Sequence, residues 1–160
     1  MKKPMTEQQR KKIKTYIKNQ LDISELIKDY SIKGEDLSGA IIKKFTRSRD
    51  DMTGVNLSKC IIGEKGTVNN ISGSKLRRSR WCDTEVLGRL FARKCDCREA
   101  DFSGAILTNV EYQNTDFRQA KFCECCLRIG SDYGMGSKMD ENFFRDLAKG
   151  WNLQIKVKDE

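Results

Sequence analysis

Between about residues 35 and 129 the chain repeats every five residues, a period that neither an α-helix at 3.6 nor a strand at two produces. Ala100, Ala105, Val110, Thr115, Ala120 and Cys125 open successive fives, and Phe102, Leu107, Tyr112, Phe117, Phe122 and Leu127 stand third in them. Carried backward, the third positions read Leu37, Ile42, Arg47, Met52, Leu57 and Ile62, then Ile71, Leu76, Trp81, Val86 and Phe91, then Cys97. Two phase slips interrupt the count, one residue lost around Thr67 and one gained near Lys94. A large residue turned inward every five needs a turn in every unit, and Asp, Asn, Ser and Gly cluster between the inward positions. Nineteen such fives predict a stacked coil in which each turn is held by the next at strand spacing, so that no turn is stable alone and the stack is on the order of 20–25 Å long.

The units Glu35 to Gly39, Asp50 to Gly54, Val55 to Lys59 and Ala100 to Gly104 run small or polar, Asp or Asn, Leu, Phe or Met, small polar, then often Gly. In this the sequence resembles the pentapeptide-repeat family over about 95 of its 160 residues. The resemblance implies a right-handed four-sided β-helix with one five per face. The expected fold is therefore an all-β solenoid of about five coils, with N-terminal helices and a C-terminal helix plus strand as caps.

Three segments follow: a helical cap over 1–34, the coil over 35–129 and a second cap over 130–160. Thr6 and Gln9 fit a capping box ahead of Ile13, Tyr16, Ile17 and Leu21 at helical spacing, predicting a helix near 6–21. Ile23, Leu26, Ile27 and Tyr30 predict a second near 23–30. At the far end, Ser137 is placed to cap a helix carrying Phe143, Phe144, Leu147 and Ala148, closed by Gly150, and Trp151, Leu153, Ile155 and Val157 alternate as a half-buried strand. The caps would cover open sheet edges that otherwise invite end-to-end association. The resemblance also implies dimerisation through an apolar C-terminal element, here Phe143, Phe144, Leu147 and Trp151; burial within one chain is the alternative. One unit fits badly. Arg47 stands at an inward position, where an unpaired charge is costly, which predicts an irregularity over 45–51 or a loop releasing Arg47 to solvent.

There are no histidines, which removes the commonest general base and most zinc and haem chemistry. The seven cysteines fall at different positions of the five: Cys60, Cys95 and Cys125 first, Cys126 second, Cys97 third, Cys82 and Cys123 fourth. They are split between core and surface and do not converge as a tetrahedral thiolate site requires, so no metal is expected and most read as small core residues. Their odd number, with no apolar export segment after Met1, predicts reduced thiols and a cytoplasmic location; no window is long and apolar enough to predict a membrane span. Gly130 to Gly136 lacks the strand and Lys-Ser/Thr pair of a phosphate loop and reads as a hinge. Asp36, Asp96, Asp101 and Asp116 occupy the repeat's own Asp/Asn position, where turn hydrogen bonds account for them. No catalytic residue and no cofactor is predicted.

The remaining signal is charge. The chain carries 31 Lys and Arg against 23 Asp and Glu. Residues 1–34 hold +5, 35–129 hold +4 and 130–160 hold -1; within the coil 75–98 alone holds +5. The five-residue count places Leu57, Leu76, Cys97 and Phe117 on one face and hence Ser58, Arg77, Arg98 and Arg118 in one outward column. With Lys75 and Arg78, these arginines are the candidate anion or partner contact, since stacked like charges call for counter-anions and Arg suits phosphate or carboxylate. Pairing with Glu99, Asp96 or Asp116 is the alternative. The leading expectation is a non-enzymatic scaffold binding a protein partner through a surface face. Two others stand beside it: regulation of DNA gyrase or topoisomerase by DNA mimicry, which the resemblance brings and the basic charge opposes, and weak nonspecific nucleic-acid binding.

Overall fold

The structure, a computed structural model, describes residues 2–127 and 136–146 apart from 142 and 144. Two short helices lead into a parallel β-solenoid: α1 (Glu7–Lys18) and α2 (Ser24–Ile27), then β1 (Ile41–Ile42), β2 (Ile61–Ile62), β3 (Val68–Asn70), β4 (Glu85–Val86), β5 (Arg89–Phe91), β6 (Ile106–Leu107), β7 (Val110–Glu111) and β8 (Cys126–Leu127). Strands β1, β2, β4, β6 and β8 stack in one sheet and β3, β5 and β7 in another. The rungs Ile41, Ile61, Glu85, Ile106 and Cys126 lie 20, 24, 21 and 20 residues apart, so four turns separate the first from the last. Two further faces are stacks of single bridges: Asp36, Asn56, Arg80, Asp101 and Lys121 on face one, and Asp51, Lys75, Asp96, Asp116 and Lys138 on face four. The β1 sheet is face two; face three runs through Thr46, Asn70, Phe91 and Glu111.

Each five builds its corner the same way. The second-position Asp or Asn accepts a backbone N–H two residues on, as Asp36 does from Ser38 at 3.1 Å and Asp101 from Ser103 at 3.1 Å. The third-position carbonyl closes a turn with the next first position, as Ala40 N–H donates to Leu37 O at 3.1 Å, and the fifth residue between them is left-handed, Gly39 at φ 74°. That conformation costs a side-chain-bearing residue about 1–2 kcal/mol, yet Lys59, Arg78, Lys94 and Glu99 adopt it. First positions turn inward and are satisfied between coils: Ser74, Thr84 and Thr115 hydroxyls donate to Arg47, Leu57 and Ala92 carbonyls at 2.6, 2.6 and 2.7 Å. Third positions fill the axis, and Trp81, Phe102 and Phe122 continue in ring contact with first-position Phe45 at one end and Phe143 at the other, at 4.8–6.3 Å between centroids.

The two phase slips fall elsewhere than the five-count places them. The nine residues from Ile62 to Ile71 do not contain a shortened unit. They form one corner enlarged by the turn Glu64–Thr67, closed by Thr67 N–H to Glu64 O at 2.9 Å. The coil accordingly has fewer units than nineteen. The extra residue lies at Leu87–Gly88 instead of near Lys94: Leu90 and Ala92 are buried, and Phe91 stands outward between them. Gly88 permits this because it lies against the 63–67 turn, where a Cβ would fall 2.3 Å from Thr67 Oγ1 and 2.9 Å from Thr67 O.

Arg47 corrects another expectation. It stays inward at 3% exposure in a regular rung, because its guanidinium reaches out of the open end of the coil. There it pairs with Asp50 and donates from Nη2 to Ile27 O and Tyr30 O, each at 2.6 Å. The N-terminal segment is partly coil: Ile32 is fully buried, Gly34 at φ 68° donates to Thr53 O, and Ile23 N–H donates to Ile41 O. Consequently the second helix shrinks to Ser24–Ile27, and Leu21 is 46% exposed instead of lying on the packed face. Thr6 caps α1 through Gln9 N–H, whereas the Gln9 side chain goes to Leu26 O, so only half of the capping box forms. At the other end Ser137 is a first-position residue, donating to Tyr112 O at 2.7 Å, and Asp140 accepts from Phe143 N–H in its place. Phe143 is buried against Phe117 and Phe122. Phe144, Leu147, Trp151 and the strand over 151–157 lie outside the described residues.

Candidate partner-binding face

The register brings Arg77, Arg98 and Arg118 into one column on face four, each two residues beyond a rung residue Lys75, Asp96 or Asp116. The backbone confirms the stagger, with Gly54 N–H donating to Arg77 O, Arg78 N–H to Arg98 O and Glu99 N–H to Arg118 O. The column's first member is Thr53, not Ser58: the corner between Ile62 and Ile71 holds one unit fewer than the five-count assigns, which moves Leu57 to face one, under Trp81. Because Thr53 and Gly54 are small where the rungs above carry arginines, the face opens there into a shallow groove of about 440 Å³ lined by Lys33, Asp51, Thr53, Lys75, Arg77, Arg78, Asp96 and Arg98.

The arginines are neutralised within the face, Arg98 and Arg118 in their own rungs and Arg77 and Arg78 by the rung above. Arg98 grips Asp96 through Nε at 2.7 Å and Nη2 at 2.6 Å, and Arg118 grips Asp116 at 2.9 and 2.7 Å. Arg77 pairs with Glu99, as does Arg78 through Nε at 2.7 Å. These hydrogen bonds hold Asp96, Asp116 and Glu99 below the usual carboxylate range, and the Lys33 ammonium, 2.8 Å away, brings Asp51 down to about 2. Like-charge repulsion along the column is thus relieved without a counter-anion, and the guanidiniums are fixed in orientation. Lys75 differs. It is exposed on the groove floor between the Asp51 and Asp96 rungs and makes no ion pair among the described residues. The second, fourth and fifth positions of this face present Lys75, Arg77, Arg78, Arg98 and Arg118 against Asp51, Asp96, Glu99 and Asp116, and the last rung adds Lys138 against Asp140 and Glu141, so the charges balance along the face and the positive part is the groove end at Lys33, Lys75, Arg77 and Arg78.

A second charged cluster escapes the five-count. Arg89, Phe91 and Arg93 alternate outward along β5, with both guanidiniums over the Phe91 ring at 5.1 and 4.7 Å. Both also reach Glu111 on the next rung, which is 4% exposed. Burial alone raises a carboxyl, but the hydrogen bonds from Arg93 and Arg89 outweigh it and hold Glu111 below its ordinary value. The alternation of Arg89, Phe91 and Arg93 with Leu90 and Ala92 is legible as a strand, and it is the signal that places the slip before β5.

The cysteines take structural positions. Cys60 and Cys95 donate S–H to Leu37 O and Ile71 O at 3.1 and 3.2 Å, just as first-position Ser and Thr do. Burial pushes Cys60 and Cys125 up to about 12, far from thiolate reactivity at neutral pH. Among the described residues no three potential ligands gather into a metal site, and no helix is long and apolar enough to cross a membrane.

A family profile described as pentapeptide repeats matches residues 95–128 in 8 copies, in register with the corners just described. Residues 95–128 are pentapeptide repeats, and the coils before them build their corners in the same way. Among the solved structures similar to this chain are several described as pentapeptide-repeat proteins. One from the Arabidopsis thaliana thylakoid lumen shares 26% identity over 67% of this chain and 59% of its own, with a TM-score of 0.32. The chain thus spans less than two thirds of that relative. Rfr23 from the cyanobacterium Cyanothece shares 15% identity over 68% and 86%, with a TM-score of 0.28. QnrB1, described as a plasmid-mediated fluoroquinolone resistance protein, shares 13% over 72% and 87%, with a TM-score of 0.27. A search of curated proteins returns no match.

Proposed function

We propose that this pentapeptide-repeat protein is a non-enzymatic scaffold that binds a protein partner through face four. The observation that carries the reading is the groove beneath the arginine column. Lys75 has no carboxylate of its own there, and Arg77, Arg78 and Arg98 are held rigid by theirs, so little side-chain freedom is lost when an acidic surface docks. The non-enzymatic part rests on the carboxylates: Asp36, Asp51, Asp96, Asp101 and Asp116 are all engaged in turn hydrogen bonds. A reducing, cytoplasmic setting agrees with cysteines that serve as core hydrogen-bond donors. DNA mimicry of the gyrase-inhibitor kind requires a negative strip, whereas face four balances its carboxylates with cations and is positive at the groove.

The test compares the intact chain with a Lys75→Glu, Arg77→Glu, Arg98→Glu variant, each immobilised, with bound proteins quantified and the enriched species then titrated in pure form. Loss of that species on the reversed face, and its retention by a Lys11→Glu, Lys14→Glu variant of α1, is the expected result. Equal retention by all three overturns the reading. A duplex DNA titration at low salt run in parallel assigns the face to nucleic acid if DNA alone binds, and a supercoiling assay unaffected by excess protein disposes of gyrase regulation.

A further inference from the structure

Residues 22–34 form a partial coil beneath the first, paired with it on faces two and four, while helices stand against the other two. On face two Asp22 bridges Ile41 and Ile23 N–H donates to Ile41 O at 3.0 Å; on face four Gly34 N–H donates to Thr53 O at 3.0 Å. Face one lies under α1, whose Arg10 forks onto Glu35 at 2.7 and 2.9 Å. On face three the chain is helical, as α2, and a helix has no strand edge to offer. The rung above is therefore paired on one side only. Phe45 O and Arg47 N–H are used upward with Asn70, at 3.1 and 2.7 Å, so in a parallel ladder the N–H and C=O of Thr46 point down into the open side. Thr46 is exposed, and neither group has a hydrogen-bond partner among the described residues. Between this edge and α2 is a notch of about 180 Å³ lined by the buried Ser24, Ile27, Phe45 and Arg47 on its inner wall and by Glu25, Lys28, Lys44 and Thr46 toward solvent.

We propose that this notch takes an extended peptide segment of a partner protein, which completes the open side by β-augmentation at Thr46. The chemistry of the segment follows from the walls. The segment runs antiparallel to the rung, so that its residue opposite Thr46 exchanges two backbone hydrogen bonds with it, a neighbouring small apolar side chain turns inward onto Ile27 and Phe45, and an acidic residue meets Lys44, which has no ion pair among the described residues. Lys28 adds little, since Glu25 holds it at 2.6 Å. Main-chain pairing supplies affinity and the alternating side chains supply selectivity, as in other strand-addition sites. The site is separate from face four and stands or falls independently of it.

The experiment uses the full chain labelled with nitrogen-15 and the acetylated, amidated peptide Asp-Val-Thr-Val-Asp as probe. Titration is expected to shift the Thr46 amide and slow its exchange with solvent. The same peptide N-methylated at its central residue is expected to bind about tenfold more weakly through loss of backbone pairing, with the protein untouched. A Thr46→Pro variant, tolerated at an edge whose N–H faces solvent, should keep the thermal midpoint and lose binding. No change at Thr46, shifts confined to Arg77 and Arg98, or equal binding of the N-methylated peptide each overturn the proposal.

Discussion

At the scale of single residues, the first position of each five does two jobs, filling the narrow corner and donating a hydrogen bond to the carbonyl of the coil before it. Cys95 does both through its S–H to Ile71 O. Cys95→Ser is therefore expected to be tolerated within about 0.5 kcal/mol, whereas Cys95→Ala removes one of the two donors to Ile71 O, which keeps the Ser74 N–H at 3.2 Å, and empties part of the corner at a cost of about 1–1.5 kcal/mol; urea unfolding of the two variants separates these outcomes. The fifth position carries the opposite tension. Lys94 is exposed and left-handed at φ 56°, so Lys94→Gly should raise stability by about 0.5–1 kcal/mol, the relief of the left-handed strain less the entropy glycine adds to the unfolded chain. Gly88→Ala should do the reverse by about 2 kcal/mol or more, since its Cβ would meet the Thr67 backbone. The roles of Asp36, Asp96, Asp101 and Asp116 were legible from spacing alone, because an Asx turn is a local event. The thiol-to-carbonyl bonds were not, because their partners lie 23 or 24 residues away in a neighbouring coil.

Among the elements, the boundary between cap and coil is where periodicity misleads. Helical spacing predicts α1 well, since Ile13, Tyr16 and Ile17 do face the coil. Tyr30 to Gly34, however, is already a coil unit disguised by a first residue that is not small. Likewise 63–70 counts as a shortened five although it is one enlarged corner, which moved Leu57 to another face, and the second slip counted near Lys94 instead of at Leu87–Gly88 turned Phe91 inward. Counting alone cannot separate a lost residue from an inserted turn; Gly88 and the outward alternation Arg89, Phe91, Arg93 separate them. The join itself depends on Arg47, whose burial pulls its own affinity for the proton down while Asp50 sustains its charge. Replacing it by methionine keeps the volume but strips the donors from Ile27 O and Tyr30 O and leaves Asp50 with Lys2 at 3.4 Å. Arg47→Met should cost about 3 kcal/mol. Hydrogen exchange should show amides of residues 22–32 opening before those of the coil, and a variant in which both regions exchange together would refute a separately anchored cap.

For the whole molecule, the positive balance divides into two unlike parts. In the coil most arginines are tied to carboxylates, while Lys11, Lys14 and Lys18 stand exposed along α1 with no ion pair among the described residues. The tied carboxylates set the response to acid. Glu111 is held below its ordinary value by Arg93 and Arg89 against burial, Asp96, Asp116 and Glu99 by their arginines, and Asp51 near 2 by Lys33. In the unfolded chain these groups titrate near about 4, so between about pH 4 and 2 the unfolded state binds more protons than the folded one and stability falls with pH. Above about pH 5 the contribution is complete and the urea midpoint should be flat toward neutrality. Exposed pairs such as Arg118–Asp116 are screened by salt, whereas Glu111 sits under two guanidiniums and a phenyl ring, out of reach of mobile ions. Raising salt to about 0.5 M should therefore flatten only part of the acid transition. Glu111→Gln should remove the salt-resistant part and Asp116→Asn the salt-sensitive part; if both variants change the same portion of the curve, the division between the buried and exposed pairs is wrong.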